Sequence, residues 1–576
     1  MGDHDIFAHA LANLSEERKL QSFAVKHSST FVNEYGRRDD HGNFSDGGIE
    51  NPNHLLGAFP VLFPYGKGGL EVDRRRKVPY ESHVRWALQY GDGRFRKDLS
   101  FIFQVFGVIQ KRQMCNSAEL QIRRASFHRN EALINTVTPQ DLRNASSEEH
   151  RRVPYTNQGV RVLRQHISAV RSKVMGTDES RTGIRSKMWG MTVMKNPPSL
   201  WITINPSDTN DPIAQVMAGS DIDLDKFEKT AGPDGKERSR IIAADPFAAA
   251  KFFHFTITAI LETLFGFTKR KNSIQRRPGI LGQVAGYIGT VEAQGRGTLH
   301  LHLVVWLRGA PTSAEMKEAL KSDDFREKIS LYIDSCIQAD IDGGDAKTVL
   351  AIPKEQAIAY SRPPDPRLPN YEETAREMEK KLARAVQVHT CSNEGCIVVK
   401  GGHPQCKRRA PFPLAKTAWI GEDGSWGPKR TYGYLNNWNP TLLLSTRSNH
   451  DIKLITNGVE TKAITWYITQ YATKKQYRSS NTSALLAKRV AFHWAQEKYT
   501  SDCRLLNKRL ILRCANTLSR EQEFGGPEVI TYLMGWGDRY ISHYFVAIYF
   551  DAIPATLKRQ FPELRSKRLD HDHSIF

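Results

Sequence analysis

Two apolar, alternating segments separated by a glycine turn constrain the fold of this chain more than any other feature. The segments at 283–294 (QVAGYIGTVEAQ) and 298–307 (TLHLHLVVWL) have the length and composition of strands, and Gly-Arg-Gly between them favours a turn. Because strand side chains alternate between faces, His300 and His302 point to one side and the leucines to the other. We therefore predict a β-hairpin inside an α+β fold.

The paired histidines form half of a candidate metal site. Glu292 and Gln294 share one face of the first strand, and the turn brings that face beside His300 and His302. Two imidazoles and one oxygen ligand leave coordination positions open, where a bound cation can polarise a phosphodiester. A His-x-His pair is more often a packing or surface feature, and that reading stays open. A two-histidine, one-carboxylate iron oxygenase is a further alternative.

The charge of the chain favours a polyanionic partner. Among 576 residues, Lys and Arg exceed Asp and Glu by 82 − 62 = 20. Nucleic acid is the leading candidate, because neutralised phosphates release counterions. Seven cysteines do not make a disulfide framework, and the first residues lack a secretory signal pattern. The apolar stretch at 252–267 predicts a buried helix and not a membrane span, so we expect an intracellular protein with no membrane partner.

Changes in pattern along the chain predict five regions. They are an irregular segment (1–50), a basic, aromatic DNA-binding region (51–190), a sheet with the metal site (191–310), a helical insertion with a cysteine segment (311–440) and a C-terminal helical part (441–576). Arg94, Arg96 and Lys97 are candidate DNA-binding cations of the second region.

Local patterns predict individual elements inside these regions. We expect helices at 80–90, 98–113, 158–176, 371–388, 460–475 and 483–499, and a strand at 199–206. Asp245 and Pro246 predict the start of a helix that ends near Gly266. Thr312 and Glu315 predict a capping box for a helix that reaches about Ala339.

Two tyrosines are candidate nucleophiles. Tyr467 and Tyr471 lie four residues apart, on one face of the helix expected at 460–475, and Lys474 and Lys475 follow them. A phenol attacks phosphorus efficiently when a cation or a metal-polarised target is nearby, and this pattern offers both. The alternative is an ordinary amphipathic helix with both tyrosines in the core.

A cysteine-rich segment is a candidate zinc site. Its ligand types are those of tetrahedral zinc, although the spacing is not that of a standard knuckle. The candidate ligands are His389, Cys391, Cys396, His403 and Cys406. Lys407, Arg408 and Arg409 follow directly. Reduced cysteines without a metal are the alternative.

Six stretches together resemble the Rep (HUH endonuclease) region of Helitron rolling-circle transposases, over roughly 50–550. They are LFPYGKGG with HVRWALQYGDGRFRKD, WITINPSD, VEAQGRGTLHLHLVVWL, the HTC…C…C segment, NHDIKLITNG and WYITQYATKKQ. The resemblance implies an HUH-type antiparallel sheet with the tyrosine helix lying over it. It also implies His300 and His302 as ligands of Mg²⁺ or Mn²⁺, Glu292 as first and Gln294 as second choice for the third ligand, and both tyrosines as nucleophiles. The cysteine segment of the family implies a structural site that holds the loop with Lys407, Arg408 and Arg409 near DNA, as candidate contacts.

The activity implied by the resemblance is nicking and transfer of single-stranded DNA at transposon ends, through a 5′-phosphotyrosine intermediate in the nucleus. Family members usually continue into a helicase, whereas this sequence has no Gly-x-x-x-x-Gly-Lys-Ser/Thr loop and ends at Phe576. We therefore expect the nuclease portion of a longer transposase or a truncated copy, with a helicase in cis or in trans. A remnant that binds DNA without cutting it is the alternative.

Overall fold

Five antiparallel strands organise the described part of the molecule. The computed structural model describes residues 55, 58–65, 67–69, 76, 78–226, 232–271, 273–294, 297–355, 360–392, 396–456, 481–496, 503–546, 556–557 and 559–561. The strands of the main sheet are β1 (Leu200–Ile204), β4 (Val284–Ala293), β5 (Leu299–Leu307), β10 (His450–Leu454) and β11 (Arg539–Ile541). Their order is β10–β1–β5–β4–β11, and each neighbouring pair is antiparallel.

Short two-stranded ribbons lie outside the main sheet. They pair β2 (Phe267–Lys269) with β3 (Ile274–Arg276), β6 (Ile397–Lys400) with β7 (His403–Cys406), and β8 (Trp419–Ile420) with β9 (Trp426–Gly427). The sheets coexist with many helices, so the predicted α+β class is confirmed.

The helices of the described residues are numbered in chain order. The first eleven are α1 (Tyr80–Leu88), α2 (Arg94–Lys97), α3 (Leu99–Ile122), α4 (Ala125–Asn135), α5 (Pro139–Arg151), α6 (Gln158–Arg171), α7 (Asp178–Thr182), α8 (Ile184–Lys195), α9 (Pro212–Met217), α10 (Gly235–Ala244) and α11 (Pro246–Ala259). The others are α12 (Ser313–Ala319), α13 (Asp323–Cys336), α14 (Ala346–Ala351), α15 (Tyr371–Leu382), α16 (Pro440–Thr446), α17 (Thr482–Gln496), α18 (Cys503–Arg520) and α19 (Gly526–Leu533).

The two faces of the main sheet differ, as the alternation in the sequence predicts. Leu301 and Leu303 of β5 face the larger core, together with Ile202 of β1 and Ile257 of α11. This core also includes apolar residues from 55–109, so the N-terminal helices pack against the leucine face. His300 and His302 lie on the opposite face, which α8 covers farther along the sheet, where Trp306 is buried.

A second, helical core lies beside the sheet. It joins the second half of α3 to α4, α5, α6, α17 and α18. Side-chain caps define where two of these helices begin. Thr138 and Asp141 form a capping box at the start of α5, and Asn157 accepts a hydrogen bond from the Val160 N–H at the start of α6. Buried apolar side chains then fix their packing.

The helix that follows Asp245 begins as predicted. Asp245 accepts from the Ala248 N–H at 2.9 Å, and Pro246 occupies the first helical position. A π-helical turn at Ile260–Leu264 extends α11 to the predicted end. By length and composition Pro246–Leu264 could cross a membrane, but 56% of it is buried inside the fold, as in a core helix.

The helix predicted from Thr312 to about Ala339 is wrong in extent. The capping box of Thr312 and Glu315 is present, but α12 ends at Ala319, where a continuous helix to about Ala339 was expected. The Ser322 N–H donates to the Ala319 carbonyl, which closes a tight turn, and Asp323 and Asp324 then start α13. Acidic residues stabilise a helix N-terminus, so this sequence favours a new start over continuation.

Candidate functional site

Three side chains converge on the polar face of the sheet. Glu292 lies opposite His300 in the β4–β5 register. The Nε2 atoms of His300 and His302 are 2.9 Å apart, and the Glu292 Oε2 lies 3.6 and 3.8 Å from them. Both imidazoles are buried, and the Glu292 side chain is 14% exposed. Because neighbouring donors around a cation with ~2.1 Å bonds lie about 3 Å apart, these atoms need to move little to bind one.

Residues of β1 orient one of the imidazoles. Thr203 lies opposite His302, and its Oγ1 is 3.1 Å from the His302 Nδ1. Trp201 stacks on the same ring with centroids 5.2 Å apart and an interplanar angle of 9°. These contacts fix the ring plane and leave Nε2 directed at Glu292. The sequence predicted the strand at 199–206 but did not identify these contacts.

Gln294 has a different environment from Glu292. Its side chain is exposed, and its Nε2 donates to the Asn205 Oδ1 at 3.3 Å. Asn205 in turn donates to the Asn449 Oδ1 at 2.9 Å. The contacts of the two residues therefore favour Glu292 over Gln294 as the oxygen donor beside the histidines.

A buried arginine supports the strand that carries Glu292. Arg181 Nη2 donates to the Val291 carbonyl at 2.6 Å, and its Nε lies 3.3 Å from the Asp538 Oδ2. Burial acts to lower the pKa of Arg181, but the acidic groups around it, Glu292 among them, raise that pKa above its usual value. Nothing in the local sequence pointed to this residue, because its partner lies 357 positions away.

A buried carboxyl lies in the loop that follows β1. Burial raises the pKa of Asp208 to about 6, although the backbone N–H groups of Thr209 and Asp208 act to lower it. The Asp208 carbonyl also accepts from the Gln215 side chain at 3.4 Å. This loop leaves the sheet immediately after the strand that contacts His302.

The cysteine segment forms a second cluster. The His389 Nε2 lies 3.4, 3.5 and 3.3 Å from the sulfur atoms of Cys391, Cys396 and Cys406 respectively. Partial burial, with Arg408 nearby, lowers the pKa of His389. The ribbon β6–β7 brings the second and third cysteines together, and the His389 N–H donates to the Tyr434 carbonyl at 2.7 Å.

His403 lies apart from these four residues. It is exposed, at the start of β7 and opposite Lys400. The sequence left open which histidine joins the cysteines, and the structure brings His389 to them. The four residues provide one nitrogen and three sulfur donors, all within 4.8 Å of one another, which is the donor set of structural zinc.

The basic residues singled out from the sequence differ in exposure. Arg96 Nε lies 3.0 Å from the buried Asp245 Oδ2, so its charge supports the start of α11. Arg94 stacks over Tyr90 and Phe95. The exposed members of this set are Lys97, Lys407, Arg408 and Arg409.

The candidate nucleophiles Tyr467 and Tyr471, with Lys474 and Lys475, lie outside the described residues. The nearest described positions on either side are Thr456, which follows the edge strand β10, and Asn481, which precedes α17. Asn481 Nδ2 donates to the Ser146 carbonyl at 2.6 Å. The predictions for the tyrosines and lysines therefore stay predictions.

Comparison with known protein families matches part of the chain. Residues 83–305 match the family described as the Helitron helicase-like domain at the N-terminus, a range that includes Glu292, His300 and His302. No curated protein matches the chain. The family match supports a Helitron-related protein.

Proposed function

We propose that this Helitron-related protein is a metal-dependent endonuclease and strand transferase for single-stranded DNA, of the HUH type. The observation that carries the proposal is the convergence of Glu292, His300 and His302 on adjacent antiparallel strands, inside the region that matches the Helitron family. The charge of +20 supports a nucleic-acid partner.

The donor set fits a small divalent cation. Two imidazoles and one carboxylate present one atom each toward a common point, with Thr203 holding the far side of His302. A cation such as Mg²⁺ or Mn²⁺ held there supplies a Lewis acid for a phosphate oxygen. The protein then contributes rigidity, because both histidines lie on a central strand bonded on either side.

The proposed nucleophile is the phenol of Tyr467 or Tyr471. Its oxygen attacks phosphorus and gives up the phenolic proton, while the bond from phosphorus to the 3′ oxygen breaks. The 3′ oxygen leaves with a proton as a hydroxyl, and the 5′-phosphate stays on the tyrosine as an ester. A 3′-hydroxyl of DNA reverses the step and joins the strands. Lys474 and Lys475 are proposed to stabilise the charge that develops.

The proposed nicking step is tested by trapping the adduct. The protein is incubated with Mn²⁺ and a 5′-unlabelled, 3′-labelled single-stranded oligonucleotide, then resolved under denaturing conditions. A labelled, SDS-resistant adduct is expected for the wild type. Tyr467→Phe and Tyr471→Phe, made singly and together, identify the attacking phenol. Tyr371→Phe, at the start of α15 and outside the residues proposed to contact DNA, is the matched control.

The outcomes separate nicking from binding. An adduct that disappears in the double variant while DNA binding persists supports the mechanism. Wild-type nicking by the double variant rules out a tyrosine nucleophile at these positions. DNA binding without any adduct from the wild type identifies a non-cleaving, Helitron-derived binding protein.

We propose a structural zinc site at His389, Cys391, Cys396 and Cys406. Zinc there links the end of α15 to the β6–β7 ribbon and so fixes the loop that carries Lys407, Arg408 and Arg409. These exposed cations are proposed DNA contacts. A helicase acting in cis or in trans, and a nuclear location, complete the proposed setting.

A further inference from the structure

Five cationic side chains lie close together where β11, α8 and the β2–β3 ribbon meet. Partial burial and the charge of Arg539 lower the pKa of Lys187 on α8. Partial burial and the charge of Lys187 lower the pKa of Lys269 on the ribbon. Partial burial and the charge of Arg276, also on the ribbon, lower the pKa of Lys195 on α8.

An imidazole lies within this group of cations. Burial and the charges of Lys195, Arg276 and Lys269 lower the pKa of His543 to about 4. The Arg276 Nη2 lies 3.4 Å from the His543 Nε2. Within the described ranges, Asp538 is the acid that acts on Lys187, and it is already paired with Arg181 and Arg539. The cluster therefore has an uncompensated positive charge.

An exposed aromatic ring borders the cations. Tyr544 is 65% exposed, and the Lys269 ammonium lies 4.2 Å from its ring centroid. The single O–H of Tyr544 lies between the Arg270 and Lys271 carbonyl oxygens, at 3.2 and 2.9 Å, and its hydrogen bond holds the ring against the ribbon turn. Cations interleaved with open aromatic faces are what a flexible single strand binds, because bases stack while phosphates pair.

The cluster is continuous with the metal-site face. Arg539 lies opposite Thr290 on β4, and Thr290 lies opposite His302 on β5. These three side chains share a face of the sheet. The strand that carries Arg539 therefore lies two strand spacings, ~10 Å, from the strand that carries His302. His543 lies farther along β4, next to Gly286. It is so close that a Cβ atom added to Gly286 would come within 2.8 Å of the imidazole ring. Gly286 precedes Glu292 by six residues, ~20 Å of strand.

We propose that the DNA strand cut at the metal site continues across this surface, which we call the ribbon patch and define as Lys187, Lys195, Lys269, Arg276, Arg539 and Tyr544. The assignment rests on the proposed function for the position of the scissile phosphate. The patch holds phosphates a few nucleotides from that position, and Tyr544 stacks on a base. It is separate from the cations at 94–97 and 407–409.

Binding of a fluorescein-labelled 12-nucleotide oligo-dT in EDTA tests the patch without any cleavage. The test variant is Lys195→Gln with Arg276→Gln. The matched control is Lys317→Gln with Lys328→Gln, which removes the same charge from exposed positions on α12 and α13. Each lost phosphate contact lowers the salt slope by about 0.7, so the test variant loses about 1.4 in slope and roughly 25-fold in affinity at 0.1 M salt. The control keeps both values.

The tyrosine is tested on its own. Tyr544→Ala is expected to weaken binding by roughly 5- to 100-fold through lost stacking, and Tyr544→Phe, which keeps the ring, is expected to bind like the wild type. An equal loss in both variants would show that the hydroxyl anchors the ribbon and would overturn the stacking assignment. Circular dichroism of each variant confirms that the fold is retained.

The results distinguish the patch from the nuclease. Wild-type affinity in the charge variant, with the covalent adduct intact, overturns the patch and leaves the nuclease standing. Weakened binding by the charge variant, with no adduct from the wild type, supports the patch and rejects the nuclease. Tighter binding of a 12-base-pair duplex than of oligo-dT, lost in the same variant, overturns the single-strand assignment.

Discussion

Removal of the buried Arg181 guanidinium is expected to loosen the strand that carries Glu292. Arg181 is the cation between Asp538 and Glu528, at 3.3 and 3.9 Å, and it also donates to the carbonyl of Val291. Arg181→Met keeps the volume of the side chain but leaves both carboxylates buried without this partner. Breaking a buried ion pair from one side costs ~3–5 kcal/mol.

The expected loss of stability is measured in β4 itself and not for the whole chain. A chain with a sheet core and a separate helical core need not unfold in one step. Amide hydrogen exchange of the β4 peptide, followed by mass spectrometry, reports the free energy of local opening. A loss of ~3 kcal/mol or more speeds exchange by at least ~10²-fold, since each 1.4 kcal/mol is tenfold. Peptides of α17 and α18, in the helical core, are expected to keep the wild-type rate.

Arg240→Met is the matched control. Its ion pair with Glu237 lies on the surface of α10, at 2.9 Å and largely exposed, so its removal costs ~0.5 kcal/mol or less. If Arg181→Met changed β4 exchange no more than this control does, the buried network would not support the strand.

Three more expectations follow from single contacts. Thr203→Val is expected to weaken Mn²⁺ binding ~10- to 100-fold, while Thr203→Ser retains it, because serine keeps the hydroxyl that bonds to the His302 Nδ1; titration of Mn²⁺ measures this. Burial lowers the pKa of His254 to about 3, so below pH 6.5 the unfolded chain binds a proton that the folded chain does not. Stability should then fall by about 1.4 kcal/mol per pH unit as the pH drops from 6.5 toward 3, and the pH dependence of α11 exchange should flatten in His254→Gln. Purified Cys396→Ser is expected to contain no zinc in the cluster. Cys503→Ser, which changes an exposed cysteine outside the cluster, is expected to retain one zinc per chain, and metal analysis by mass spectrometry measures both.

Sequence reasoning succeeded where the signal was local. The strand alternation that separates His300 from Leu301 spans neighbouring residues, and the Asp245 cap and the Thr312 box act within one helical turn. Such features are set by backbone geometry, so the residue types alone predict them. The break before Asp323 was missed because a turn of four residues competes with continued helix on small energy differences.

The support of the site could not be predicted from the sequence. Arg181 meets Asp538 across 357 positions, and β11 joins the sheet from near the end of the chain. The choice of His389 over His403 likewise depends on where the β6–β7 ribbon folds back. Contacts of this kind depend on the packing of the whole core, to which many residues contribute weakly.

Titration of Mn²⁺, followed by electron paramagnetic resonance, shows whether Glu292, His300 and His302 bind one divalent cation. We expect one bound Mn²⁺ per wild-type chain and the same for His403→Ala, whose exposed imidazole lies outside the site. Combining His300→Ala with His302→Ala is expected to lower the affinity at least ~100-fold. Unchanged Mn²⁺ affinity in that double variant would show that these histidines do not bind the cation.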